Sequence, residues 1–145
     1  MTNEEKQLLL ADLCARLPYG VICQFVWTYN NETTDGEDVI AEEDDNIRCI
    51  DLHTKEIQAD YYGEWVDLEQ CKPYLRPMSS MTDDEREDWY RQSKVDYDCE
   101  FKPEPTLSPE HCHLSVNWLN KKMFDYRGLI PIGLALEAPE GMYIF

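Results

Sequence analysis

The sequence predicts a single α+β domain: a small antiparallel sheet with an N-terminal helix and a helical C-terminal half. Three observations predict it. A capped leucine stripe opens the chain, short alternating segments fill residues 18–75, and a second helix-start signal at Thr82 introduces a more helical stretch over 82–145. The 145 residues suit one domain, since a chain of this size buries roughly 68–70% of the surface its unfolded form exposes. Charge alone would favour disorder, but 12% aromatic content, with four Trp and nine Tyr, supplies the large side chains that a core needs.

Taken in order, Thr2 and Glu5 have capping-box spacing, and Leu9, Leu10, Leu13, Cys14 and Leu17 form a helical stripe that should end near Pro18. In 20–29, GVICQFVWTY, both alternating sets are largely apolar, which predicts a strand buried on both faces. Eight acidic residues and no basic one lie between 32 and 45, among Asn-Asn, Thr-Thr and Asp-Gly pairs. Mutual repulsion and turn chemistry predict a long mobile hairpin loop there. NIRCIDL, EIQADYY and EWVDLEQ are three further short strands at hairpin spacing. Four such strands fit either a small curled sheet or an SH3-like barrel, with the first helix closing one opening.

CKPYLRPM, from Cys71, holds two prolines and reads as an extended turn leaving the sheet. Thr82 and Glu85 repeat the capping-box spacing, and the helix from about Asp83 to Lys94 is polar apart from Trp89 and Tyr90, a surface pattern. Residues 95–110 contain three prolines and read as a connector. A last helix is expected from about Ser115 to Phe124, with Val116, Leu119 and Met123 on one stripe. The apolar tail beyond it, broken by Gly128, Pro131 and Gly133, should pack onto the sheet.

The formal charge is −17, and it is uneven: residues 1–70 hold 17 acidic and 4 basic residues, residues 71–145 hold 13 and 9. Nucleic acids and anionic membranes attract through Lys and Arg, so direct binding to either is not expected. The opening MTNEEK has no secretory pattern, and no run approaches the ~20 apolar residues of a membrane span. A cytoplasmic location follows as the expectation. It implies reduced thiols for Cys14, Cys23, Cys49, Cys71, Cys99 and Cys112.

Three blocks, DLCARLPYGV (12–21), CKPYLRPMSSMT (71–82) and FDYRGLI with GLALEAPEGMY (124–143), resemble a family of small uncharacterised proteins of Bacteroides-type gut bacteria, their phages and mobile elements. The resemblance covers about a third of the chain and implies an intracellular life in a phage or mobile-element setting. It carries over no catalytic residue.

Chemistry-bearing motifs are few. His111, Cys112 and His113 with Cys99 match no zinc-finger spacing and read as polar connector, so no metal or other cofactor is expected. A thiolate nucleophile needs a cationic neighbourhood that an acidic protein does not offer. Phosphate loops, nucleophile elbows and zinc-protease motifs are absent from the sequence. Arg127 in D-Y-R-G could hold an anion bidentately, although an internal ion pair, with Gly128 as a helix exit, is the plainer reading.

The expectation is therefore a non-enzymatic acidic accessory protein of a phage or mobile element. It would bind a basic protein surface of the host cell, in one version by imitating nucleic acid, through Glu37, Asp38, Glu42, Glu43, Asp44 and Asp45. The alternative is a small-molecule or nucleotide binder, or a minor enzyme, with a pocket lined by Tyr61, Trp65, Trp118 and Arg127. A third is an oligomer pairing through the terminal MYIF.

Overall fold

The computed structural model describes residues 1–30, 36–93 and 112–145. Its elements are α1 (Asn3–Arg16), β1 (Ile22–Asn30), β2 (Asp38–Asp51), β3 (Glu56–Ala59), β4 (Trp65–Asp67), β5 (Cys71–Leu75), α2 (Asp83–Gln92), α3 (Cys112–Lys121) and β6 (Leu136–Glu137). The fold is α+β, with one sheet in the order β4-β3-β2-β1-β5-β6. All neighbours are antiparallel except β5 and β6.

Both capping boxes form. The Thr2 hydroxyl accepts the Glu5 N–H at 3.1 Å while the Glu5 carboxylate accepts the Thr2 N–H at 2.7 Å, and Thr82 and Glu85 repeat the arrangement. Leu9 and Leu13 of α1 are fully buried against Val21, Phe25 and Leu129 of the main core, whereas Cys14 is exposed and outside the stripe assigned to it. A second cluster joins α2 to α3. Trp89 and Trp118 stack at 6.3 Å, Trp118 and Phe124 at 5.8 Å, and the Trp89 indole N–H donates to Ser115 Oγ at 2.9 Å. Helix α2 lies on the surface, as its polar pattern predicts, and is anchored there by the buried Trp89.

Four expectations are corrected. The acid-rich stretch is not a loop from Asp38 onward: it forms the first half of β2, paired with the whole of β1 from Asn46 back to Asp38. Alternation explains why repulsion does not forbid this. Successive acids point to opposite faces, so like charges on one face stand about 7 Å apart, and the β1 residues opposite them are all uncharged.

CKPYL does not leave the sheet; it is β5. Pro73 is tolerated because Gln24 and Lys72 exchange the β1–β5 hydrogen bonds, leaving the Pro73 nitrogen on the side away from β1, and β6 pairs only from Tyr74.

The SH3-like barrel is not formed. The sheet stays open because β4 has three residues and is followed at once by a capped 3-10 turn, Leu68–Gln70, that carries the chain out of the ladder.

The C-terminal half is only partly helical. Helix α3 stops at Lys121, where Met123 takes a left-handed conformation (φ 60°) and the Phe124 N–H returns to the Leu119 carbonyl at 3.0 Å. Beyond it the chain runs in turns. Leu129, Leu134 and Ala135 fold back into the core, as expected of an apolar tail, and β6 pairs with Tyr74 and Leu75.

Two long-range seams tie the halves together. The Tyr143 hydroxyl lies where β1 and β5 diverge, accepting the Ile22 N–H at 3.0 Å and donating to the Tyr74 carbonyl at 2.8 Å. Burial pushes this phenol well above its ordinary value. On α1, Asp12 and Arg16 are fully buried; Arg16 meets Asp12 through Nε at 2.8 Å and a terminal nitrogen at 3.0 Å, and donates to the Phe124 carbonyl at 2.7 Å.

Candidate functional site

Strand pairing outlines a two-stranded arm. Strand β5 accompanies β1 only at Cys23 to Phe25, and β3 accompanies β2 only from Ile47 onward. Residues 26–30 of β1 and 38–42 of β2 therefore have each other as their only ladder partners among the described residues, and residues 43–45 of β2 pair with the stretch of β1 that β5 also joins. A register shift between Ile47 and Cys49 marks where β2 changes partner. Such a bulge adds local twist and re-aims the strand.

Directly opposed residues of an antiparallel pair share a face. Cys23, Phe25 and Trp27 face inward with Asp45, Glu43 and Ala41, while Gln24, Val26 and Thr28 face outward with Asp44, Glu42 and Ile40. The six carboxylates proposed from the sequence thus do not form one patch. Glu43 and Asp45 lie on the inner face, Asp38, Glu42 and Asp44 on the outer one, and Glu37 is exposed just before β2. Glu32 and Asp35 lie outside the described residues.

Some acids already have internal work. The Asp45 carboxylate accepts the N–H groups of Tyr61 (2.8 Å) and Tyr62 (3.2 Å), pinning the β3–β4 turn. Glu43 takes the Tyr62 hydroxyl at 3.2 Å, a bond that raises that phenol's pKa. Asp44 takes the Tyr74 hydroxyl at 3.0 Å, and burial and then that carboxylate raise Tyr74. Asp38 and Glu42 make no hydrogen bond or ion pair with any described residue, and Ile40 between them is 68% exposed.

The alternative pocket residues do not converge. Tyr61, 85% exposed, occupies the β3–β4 turn, and Trp65 opens β4 with its ring also exposed. Tyr62 rather than Tyr61 reaches inward, its ring 5.6 Å from Trp27. Trp118 is packed in the α2–α3 cluster, its N–H on Asp88 at 2.8 Å. Arg127 makes the internal ion pair, with Nε 3.3 Å from the buried Asp12 and 3.2 Å from the Tyr126 hydroxyl. Asp125 shapes the same loop by accepting the N–H groups of Leu129 and Ile130 at 2.8 and 2.9 Å; Gly128, at φ 73°, lies in this turn rather than at a helix exit.

A shallow cleft of about 590 Å³ lies between the α2 cap and the tail, lined by Arg76, Glu85, Glu137, Tyr143 and Phe145 among others. Arg76 is committed: its guanidinium grips Glu85 at 2.7 and 2.8 Å and lies 4.2 Å over the Phe124 ring. This pairing holds the Glu85 carboxyl below its ordinary value.

Metal and thiol chemistry find no geometry among the described residues. No group of three or more His, Cys, Asp or Glu side chains stands within reach of one ion there. His111 and Cys99 lie outside the described residues, and His113 is exposed on the first turn of α3, which starts at Cys112, earlier than expected. Cys14, Cys23, Cys49 and Cys71 are free thiols. Burial, then the hydrogen bond with Cys71, then the charges of Asp12 and Asp45 push the Cys23 thiol well up, opposite to what a nucleophile needs. No described helix is long and apolar enough to cross a membrane.

Sequence reasoning missed the arm as an element, although nine residues of β1 and nine of β2 flank an Asp-Gly turn signal, and Val39 and Ile40 are β-branched. It also missed the Asp12–Arg16 pair, whose four-residue spacing within the leucine stripe was the available signal.

No family model, curated protein or solved structure matches the chain.

Proposed function

We propose that the protein works by binding another protein, laying the β1–β2 arm against a surface rich in Lys and Arg, as a cytoplasmic accessory protein of a phage or mobile element. The observation that carries this reading is the arm itself: a two-stranded ribbon, unsupported by further described strands over residues 26–30 and 38–42, with Asp38 and Glu42 on its outer face and the acids Glu43 to Asp45 at its base. A two-stranded ribbon is marginally stable alone in water, so contact with a partner would stabilise it. Its charge steers basic surfaces toward it, an effect strongest at low salt. A surface built to grip nucleic-acid phosphates is one such partner.

The test compares the wild-type chain with an Asp38→Asn/Glu42→Gln/Asp44→Asn variant as bait in bacterial lysate. The wild-type bait should retain a basic protein at low salt and release it at high salt, and the variant should retain little. Equal retention by both baits, or none by the wild type at low salt, overturns the reading.

A further inference from the structure

We propose that the open edge of β2 from Asp38 to Asp44 receives its partner as an added β-strand, an extended segment alternating Lys or Arg with apolar residues; this rests on the protein-binding reading above. The backbone orientation follows from two independent bonds. Asp60 N–H donates to the Asn46 carbonyl at 2.9 Å on the β3 side, and both backbone groups of Ile22, opposite Asn46, turn away from β2 toward Tyr143. Backbone groups alternate sides along a strand, so Ile40, Glu42 and Asp44 present their N–H and C=O away from β1, along the line that β3 occupies farther on.

That line ends at Asp60. The chain turns off there, held by the Asp45 carboxylate on Tyr61 and Tyr62, and no described residue pairs with the backbone of Ile40, Glu42 or Asp44. The open edge is about 23 Å long, at roughly 3.3 Å per residue. It is long enough for a partner strand of six or seven residues, of about the commonest strand length.

The side chains say what fits. Outward are Ile40 between Asp38 and Glu42, then Asp44; inward are Val39, Ala41 and Glu43, with the Tyr62 ring at the Asp60 end. A strand laid here meets mainly carboxylates on the outer face, Asp38, Glu42 and Asp44, and mainly apolar side chains on the inner one, Val39 and Ala41, which matches a basic and apolar alternation. A second copy of the chain is disfavoured as the occupant, since it would set Glu42 and Asp44 against like charges in a molecule of net charge −17. Strand addition supplies affinity through main-chain bonds and selectivity through alternate side chains.

The probe is a labelled, end-blocked peptide of alternating lysine and valine, eight residues long, titrated by fluorescence anisotropy. Two perturbations separate strand pairing from charge attraction. Glu42→Pro removes an outward N–H that takes no part in the β1–β2 ladder, and N-methylation of alternate peptide residues blocks the peptide's side of the new ladder. The proposal expects wild-type binding at low salt, weakened at least tenfold by Glu42→Pro and by the N-methylated peptide whose blocked N–H groups face β2. No binding to the wild type overturns it. So does undiminished binding of both N-methylation registers, which remains decisive if the proline variant does not fold; charge-driven protein binding would then still stand. A dimer in sedimentation that Glu42→Pro abolishes would also overturn it, by assigning the edge to a second copy.

Discussion

Replacing Asp12 by Ala tests the buried polar centre of the molecule. The Asp12 carboxylate is fully buried and takes three contacts, from Arg16 Nε at 2.8 Å, an Arg16 terminal nitrogen at 3.0 Å and Arg127 Nε at 3.3 Å. Its removal leaves Arg16, equally buried, with a single carbonyl acceptor at Phe124, and one terminal nitrogen of Arg16 already has no partner among the described residues. Stranding one member of a buried pair costs about 3–5 kcal/mol, whereas replacing both by apolar side chains of similar size is often close to neutral. Against a typical total stability of about 5–15 kcal/mol, the single change removes a large share. With a urea m-value near 2 kcal/mol per M, the unfolding midpoint should fall by roughly 2 M. Asp12→Leu/Arg16→Met should recover most of that loss, because Arg127 is partly exposed and can turn to solvent. A midpoint change below about 0.5 M for Asp12→Ala, or a double variant as unstable as the sum of its singles, refutes the reasoning.

Tyr143→Phe removes the hydroxyl that bridges Ile22 and Tyr74, stranding a backbone N–H and a carbonyl; a loss of about 1–3 kcal/mol in denaturant unfolding is expected. Glu85 has a folded-state pKa below its usual 4.5, so its pairing with Arg76 contributes fully above that value and is lost as pH falls through the lower folded value. Glu85→Gln should therefore cost about 1–2 kcal/mol at pH 7. The gap to wild type should close on acidification, and a gap constant down to pH 2 would refute the linkage. Cys23 and Cys71, both fully buried, should resist iodoacetamide until the protein is unfolded, while the exposed Cys14 is modified in the native state, as peptide mapping by mass spectrometry would show.

Helix starts were legible because each is written locally: Thr2 with Glu5 and Thr82 with Glu85 need no distant partner to be recognised. The strand at 22–30 was legible from its own alternation. What escaped depends on a neighbour. Asp38 to Asp45 reads as a repelling loop until an uncharged β1 is set beside it, and Pro73 reads as a strand breaker until its nitrogen is found on the side away from β1. Met123 ends α3 in a left-handed conformation that usually signals glycine, so no residue type announced the stop. Among the candidate site residues, Arg127 was readable as an internal ion pair, but its partner sits on the first helix and no local pattern named it.

Arg16 reaches Phe124 across 108 positions of chain, and Tyr143 reaches Ile22 across 121. Closing such wide loops costs entropy before any contact repays it. The molecule should accordingly assemble in one concerted event and comparatively slowly for its size. Cutting it between strand-rich and helix-rich portions would yield two unfolded fragments rather than two modules.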